Sequence, residues 1–211
     1  MLTPIAAAPS STATPTTATP EATPTSPPIA LSAQAAYAVD VTSDAQLYAQ
    51  SSDTPLAPAS TTKIVTAIVV MMHASPDDTV TIQQDDEVDW NVYSHMGIMA
   101  GDVISVRDLL AGMLLNSGGD AAMALSRYVG EKLPSQSTDN PRQRFVEEMN
   151  RVAAQIGMTH SHFNDPDGRD TPGHVSTAHD LALAAADLFH YQLLQQLVGT
   201  VTKTVSIQGP N

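Results

Sequence analysis

Cysteine is absent from the 211 residues, which removes disulfides, thiolate zinc sites and thiol nucleophiles from consideration together and leaves the redox compartment open. Basic side chains are scarce. With 9 Lys and Arg against 22 Asp and Glu, a net charge of −13, the chain lacks the clustered cations that phosphate-backbone binding needs, so no nucleic-acid partner is expected. Long apolar runs are missing as well. The longest, residues 64–72 with Thr66 interrupting it, is far shorter than the roughly 20 residues of a membrane-spanning helix, so no membrane span is expected. Met1-Leu2-Thr3-Pro4 has neither the basic start nor the apolar stretch of a secretory signal, so an export signal is expected upstream or not at all. What remains is a chain of 42% hydrophobic content, enough for one domain with a true core.

Residues 1–34 are almost entirely Ala, Pro, Thr and Ser, with Glu21 the only charged side chain. Such a segment cannot bury enough apolar surface to offset its ordering entropy, and it reads as a disordered stalk or linker ahead of a domain spanning 35–211. A stalk of this kind fits an extracytoplasmic protein; a leader without a role fits the composition equally. Structure is expected from Ala36, where Tyr37, Val39 and Val41 alternate, turn at Thr42-Ser43-Asp44 and resume at Gln46, the pattern of a β-hairpin. After the 55–58 loop, Ser60 stands as the N-cap of an apolar helix. Ser105-Val106-Arg107-Asp108 resembles a capping box for a second helix, which ends at Asn116. A third is expected from Asp120 to a stop at Gly130, and a fourth from Asn140-Pro141 to Gly157. A polar loop over 159–173, a helix over 177–189, a short one over 193–198 and a strand over 201–207 complete the reading.

Ser60 and Lys63 carry the chemistry. Three residues apart on a helix, their side chains share a face, so the lysine amine can reach the serine hydroxyl. Serine is a weak nucleophile until a base takes its proton, and lysine serves as that base only when burial or a neighbouring cation lowers its pKa. The apolar run after Lys63 supplies that burial, and main-chain N–H groups at the helix start can stabilise an oxyanion. The spacing alone is common, and a serine cap followed by an exposed lysine is its ordinary explanation.

The wider string Ala57-Pro58-Ala59-Ser60-Thr61-Thr62-Lys63 resembles the active-site signature of the serine D-Ala-D-Ala carboxypeptidases, the low-molecular-mass penicillin-binding proteins. Residues 109–122 (LLAGMLLNSGGDAA) resemble the family's second motif, Ser-x-Asn, with its flanking helices. Residues 145–158, 163–168 (FNDPDG) and 173–182 (GHVSTAHDLA) resemble, in the same order, its downstream helix, its Asn-Pro-x-Gly loop and its Ser-Thr-Ala-x-Asp-Leu-Ala helix start. The resemblance covers about residues 36–200 and implies an α/β (α+β) fold of the β-lactamase/transpeptidase type, an antiparallel sheet flanked by helices with a helical subdomain. It further implies Ser60 as acyl-ester nucleophile, Lys63 as proton acceptor and Ser117 as proton relay. The implied substrate is a peptidoglycan stem peptide ending in D-Ala-D-Ala, β-lactams are the implied covalent inhibitors, and neither cofactor nor metal is required. The implied location is extracytoplasmic, at the cell envelope or secreted.

Two departures stand against the family pattern. Gly119 occupies the position of the second-motif Asn, so a substrate-binding side-chain amide is missing. The third motif, Lys-Thr-Gly, occurs nowhere; Lys203-Thr204-Val205 lacks its glycine and comes too early. The expectation is therefore an incomplete domain lacking its last sheet strands, with weakened turnover. A non-catalytic cell-wall or penicillin-binding remnant is the alternative from another class, and a β-lactamase a further one, although residues 164–170 lack its deacylating Glu loop. His160, His162, Asp165, Asp167 and Asp170 match no metal-site spacing and read as solvated loop residues. Met71, Met72, Met113, Met123 and Met149 read as core filler. Trp90 with Tyr93 reads as packing or as a border of the cleft.

Overall fold

Five strands and six helices follow one another along the residues described by the computed structural model, 31–134 and 140–209. The stalk expected over 1–34 lies, apart from its last residues, outside them. The hairpin forms as read, β1 (Ala36–Asp40) against β2 (Ala45–Gln50), antiparallel, with an irregularity between Ala38 and Val39. Its turn uses the short polar side chains placed there: Asp40 Oδ1 accepts the Thr42 N–H at 2.8 Å, and Asp44 takes a left-handed φ of 57°. The hairpin leans on α5 (Ala178–Leu188), where the Tyr37 and His179 rings lie 4.7 Å apart.

A second, three-stranded sheet runs β3 (Thr79–Thr81), β4 (Val103–Ser105), β5 (Ile207–Gln208), all antiparallel. Strands β3 and β4 were not apparent in the sequence because three residues show too little alternation, and the strand expected over 201–207 shrinks to its end. The overall class is the mixed, antiparallel α/β one implied by the resemblance.

Helix α1 (Lys63–His73) is the central element, packed against α2 (Val106–Leu115), α3 (Gly119–Lys132), α4 (Pro141–Gln155) and α5. Its β-branched residues are middling helix formers, yet Val65, Ile68, Val69 and Val70 are fully buried, so tertiary burial rather than propensity holds it helical. Around it, Leu109, Leu110 and Met113 of α2, Leu125 of α3 and Phe145 and Met149 of α4 close the core, and α6 (Gln192–Val198) adds Leu194 and Leu197. Met113 and Met149 are core residues as expected, whereas Met72 is 41% exposed. No helix among the described residues is long and apolar enough to cross a membrane.

Two sequence expectations need correction. Ser60 is not the N-cap of α1; it lies inside a 3-10 turn, Ala59–Thr62, and the cap residue is Thr62. Nor does α3 stop at Gly130. A Cβ there would sit 1.9 Å from the Pro141 carbonyl oxygen, so this glycine serves the close approach of α4, and α3 continues to Lys132.

Buried charge ties the sheet to the helices. Asp86, fully buried, accepts from Arg127 Nη2 at 2.7 Å, Arg142 Nη2 at 2.5 Å and the Gln83 N–H at 2.8 Å. Arg127 also reaches the Thr81 carbonyl of β3 at 2.9 Å. Removing the carboxylate leaves two guanidinium groups without their shared counter-charge. Asp86→Ala is expected to lower the unfolding free energy by about 3–5 kcal/mol, measured by urea denaturation; a loss below about 1 kcal/mol would show the network to be dispensable.

Candidate active site

Pro58 delivers the chain into the 3-10 turn, and Ala59 takes a left-handed φ of 49°, a conformation a non-glycine residue holds only under constraint. The turn is pinned where Thr61 donates both its N–H (3.2 Å) and its hydroxyl (2.6 Å) to the Pro58 carbonyl. Ser60 is thereby presented to solvent, while Lys63, one turn on, is 4% exposed. The lysine Nζ lies 3.1 Å from Ser60 Oγ and donates to the Asp167 carbonyl at 2.6 Å. Burial lowers the Lys63 pKa below its ordinary 10.5, against the pull of Asp167 and Asp165 in the other direction.

The loop that supplies this carbonyl is locked from several sides. Asp165 Oδ1 accepts the N–H groups of Asp167, Gly168 and Arg169 at 2.7–3.1 Å. Thr66 on α1 donates to the Pro166 carbonyl at 2.7 Å. Gly168, at φ 91°, packs so closely on the Ala59–Thr62 turn that a Cβ would lie 1.9 Å from the Ala59 carbonyl. Asp165 and Asp167 are thus not the solvated loop residues expected. Burial and the Asp165 carboxylate push the Asp167 carboxyl up, whereas Asp165, despite its own burial, is held down by Asp167 and by the loop N–H groups.

His174, 1% exposed, links the same loop to α1. Its Nδ1 accepts the Asn164 N–H at 3.0 Å, so the ring proton sits on Nε2 and is given to Thr62 Oγ1 at 2.9 Å. Burial lowers the His174 pKa and keeps the ring neutral. Asp180 fastens the loop's other flank, accepting from the His160 N–H (2.8 Å) and Ser161 Oγ (2.7 Å).

Opposite lies the α2–α3 junction. Ser117, at φ 56°, and Gly119, the first residue of α3, line one cleft of about 190 Å³ with Ser60, Lys63 and Arg169. The buried Asp120 carboxylate accepts the N–H groups of Met96, Gly97 and Ile98 at 2.9–3.2 Å, and the Gly119 N–H goes to the Ser94 carbonyl at 2.8 Å. Tyr93 is thereby held at the cleft wall, while Trp90 stacks on His95, ring centroids 4.8 Å apart, and stays half exposed. A larger cavity of about 540 Å³, between α4 and the 162–169 loop, is lined among the described residues by no serine or lysine. Of the four residues singled out from the sequence, all line the smaller cleft. Asp120 and His174 went unnoticed as parts of the site because the partners that place them lie 10 to over 100 residues away, and Arg169 because the Tyr93 ring beneath it comes from a distant segment.

A family model described as D-alanyl-D-alanine carboxypeptidase matches residues 20–209. The chain belongs to that family. This family member is 35% identical over 202 residues to the D-alanyl-D-alanine carboxypeptidase of Streptomyces sp. strain K15, covering 90% of this chain and 68% of that one. It is 28% identical over 178 residues to the carboxypeptidase DacF of Bacillus subtilis, covering 82% of this chain and 43% of DacF. The crystal structure of the Streptomyces K15 DD-transpeptidase superposes with a TM-score of 0.75 at 31% identity, over 85% of this chain and 72% of that one. The chain spans less than half the length of DacF and about a third of the Escherichia coli carboxypeptidase DacD (34%).

The neutral His174 makes stability depend on pH. A histidine whose pKa is lower in the folded than in the unfolded chain binds fewer protons when folded, so its stabilisation is lost as pH falls from about 6.5 through the folded value. Denaturant titrations between pH 7.5 and 4.5 are expected to show wild type losing more stability on acidification than His174→Gln. Parallel curves for the two proteins would refute the assignment of a neutral ring.

Proposed function

We propose that the chain is a serine-type D-Ala-D-Ala carboxypeptidase acting on peptidoglycan stem peptides through an acyl-serine intermediate, outside the cytoplasm at the cell wall. The observation that carries this reading is the buried Lys63 amine, 3.1 Å from an exposed Ser60 hydroxyl and anchored by a main-chain carbonyl. A lysine with a lowered pKa is neutral more often than an exposed one and so better able to accept a proton, and its position selects the Ser60 hydroxyl as donor. Oγ then bonds to the carbonyl carbon between the two D-alanines. The proton passes by way of Lys63 and Ser117 to the departing amine, the C–N bond breaks, and terminal D-alanine leaves. Water then attacks the ester and restores Ser60. Because Ser117 makes no side-chain hydrogen bond among the described residues, its hydroxyl is available as the relay.

Gly119 contributes main chain only, so the amide contact of the family's Asn is not made. The absent contact to a charged or transition-state group corresponds to about 1.5–4 kcal/mol, slowing turnover without abolishing acylation.

A fluorescent penicillin tests the reading, since the strained amide of the drug traps the acyl-enzyme. Wild type is expected to label covalently, Ser60→Ala not at all, and Lys63→Ala about 10²–10⁴-fold more slowly. A folded wild type that takes no label would identify a non-catalytic cell-wall binding protein instead, and rapid release of opened drug would identify a β-lactamase.

A further inference from the structure

Arg169 lines the cleft beside Ser60 and Lys63, yet the chemistry of acylation does not use it. Two contacts fix its guanidinium. One face lies over the Tyr93 ring, Cζ 4.5 Å from the centroid, and Nε donates to Asp167 Oδ2 at 3.1 Å. Among the described residues neither terminal nitrogen makes a hydrogen bond, and the side chain is 34% exposed, so the donor fork stands open. The main chain next to it is equally fixed. A Cβ on Gly168 would lie 3.0 Å from the Ser60 nitrogen, so Arg169 directly follows a residue packed against the backbone of Ser60.

A planar guanidinium with two parallel N–H donors matches a carboxylate, and one already immobilised loses little freedom on binding. The charges around it are Lys63 and Asp167, the deeper Asp165, and the exposed Asp170 on the same wall. Burial and Asp165 raise the Asp167 carboxyl's pKa, so that group offsets the Arg169 charge less than an ordinary aspartate does.

We propose that Arg169 is a carboxylate-recognition residue of this cleft, its two terminal amino groups pairing bidentately with a carboxylate of the bound peptide. The inference rests on the peptide substrate proposed above. Two carboxylates share this chemistry: the C-terminal one, and that of an acidic residue preceding the terminal D-Ala-D-Ala.

The experiment measures binding rather than turnover, by calorimetry with the whole chain carrying Ser60→Ala. Three synthetic peptides serve as probes: one with an acidic residue before D-Ala-D-Ala, the same peptide with that side chain amidated, and the same peptide with its C-terminus amidated. Adding Arg169→Leu is expected to weaken the first peptide about 10- to 100-fold and to leave unchanged whichever amide has lost the partner carboxylate. Indifference of the side-chain amide assigns that carboxylate, and indifference of the C-terminal amide assigns the terminus. Arg169→Lys, which keeps the charge and the fold but not the fork, is expected to fall between. Equal weakening of all three peptides, no weakening of any, or no binding of the peptides before Arg169 is changed overturns the proposal. Should Ser60 resist penicillin while the peptides still bind with this Arg169-dependent preference, the hydrolase reading fails and the recognition role stands.

Discussion

A lysine amine can be buried only where something accepts its hydrogen bonds, and for Lys63 that acceptor is the Asp167 main-chain carbonyl, 2.6 Å away. The carbonyl steadies the amine without adding a full negative charge, so burial still lowers the lysine's pKa while the group stays directed at Ser60. Most other polar contacts of the site serve to keep this one carbonyl in place. Asp165 gathers three successive N–H groups of the loop, Thr66 holds Pro166 from the central helix, and His174 binds the loop's start to Thr62, the residue before the lysine. A carboxylate acceptor in place of the carbonyl would favour the protonated amine and oppose the lowering of its pKa.

Much of this was legible in the sequence. The apolar stretch after Lys63 is broken only by Thr66, so α1 could not be missed, and the helix starts read at Ser105 and Asn140 stand where Asp108 and Arg142 N–H groups meet those side chains. Local chemistry is what a linear pattern records. The errors fall where a distant partner decides. Gly130 looked like a helix stop because glycine usually plays that part, whereas the Pro141 carbonyl pressed against it is a fact of packing. Strands β3 and β4 are paired through residues some 24 apart, with no alternation long enough to announce them. Asp165 and Asp167 looked solvated because acidic loop residues ordinarily are; the main chain that folds over them follows from Gly168 turning left-handed against Ala59.

The net charge of −13 is a poor guide to the site. Many of the acids act as fasteners. Asp86 joins two arginines from α3 and α4, Asp120 collects the 96–98 main chain, and Asp180 secures the loop that leads to His174. Each sits at a junction where N–H groups or guanidinium groups would otherwise be buried unpaired, and such groups are costly to leave alone. The acidic composition thus arises partly from the architecture that holds two basic groups, Lys63 and Arg169, in the cleft.

The departure at Gly119 belongs to the same local design. A Cβ at this position would lie 3.1 Å from Asp167 Oδ2 and 3.3 Å from the Ser94 carbonyl, closer than nearly all ordinary side-chain contacts. That carboxylate oxygen is the one that holds Arg169 Nε. A larger side chain at 119 must therefore push against the group that orients the arginine, and an amide oxygen there would face a carboxylate. Glycine at 119, aspartate at 167 and arginine at 169 form a consistent set: with no side chain at 119, there is room for the Asp167 carboxylate and the guanidinium it steadies. An amide side chain placed at 119 alone therefore presses on the loop whose carbonyl holds Lys63.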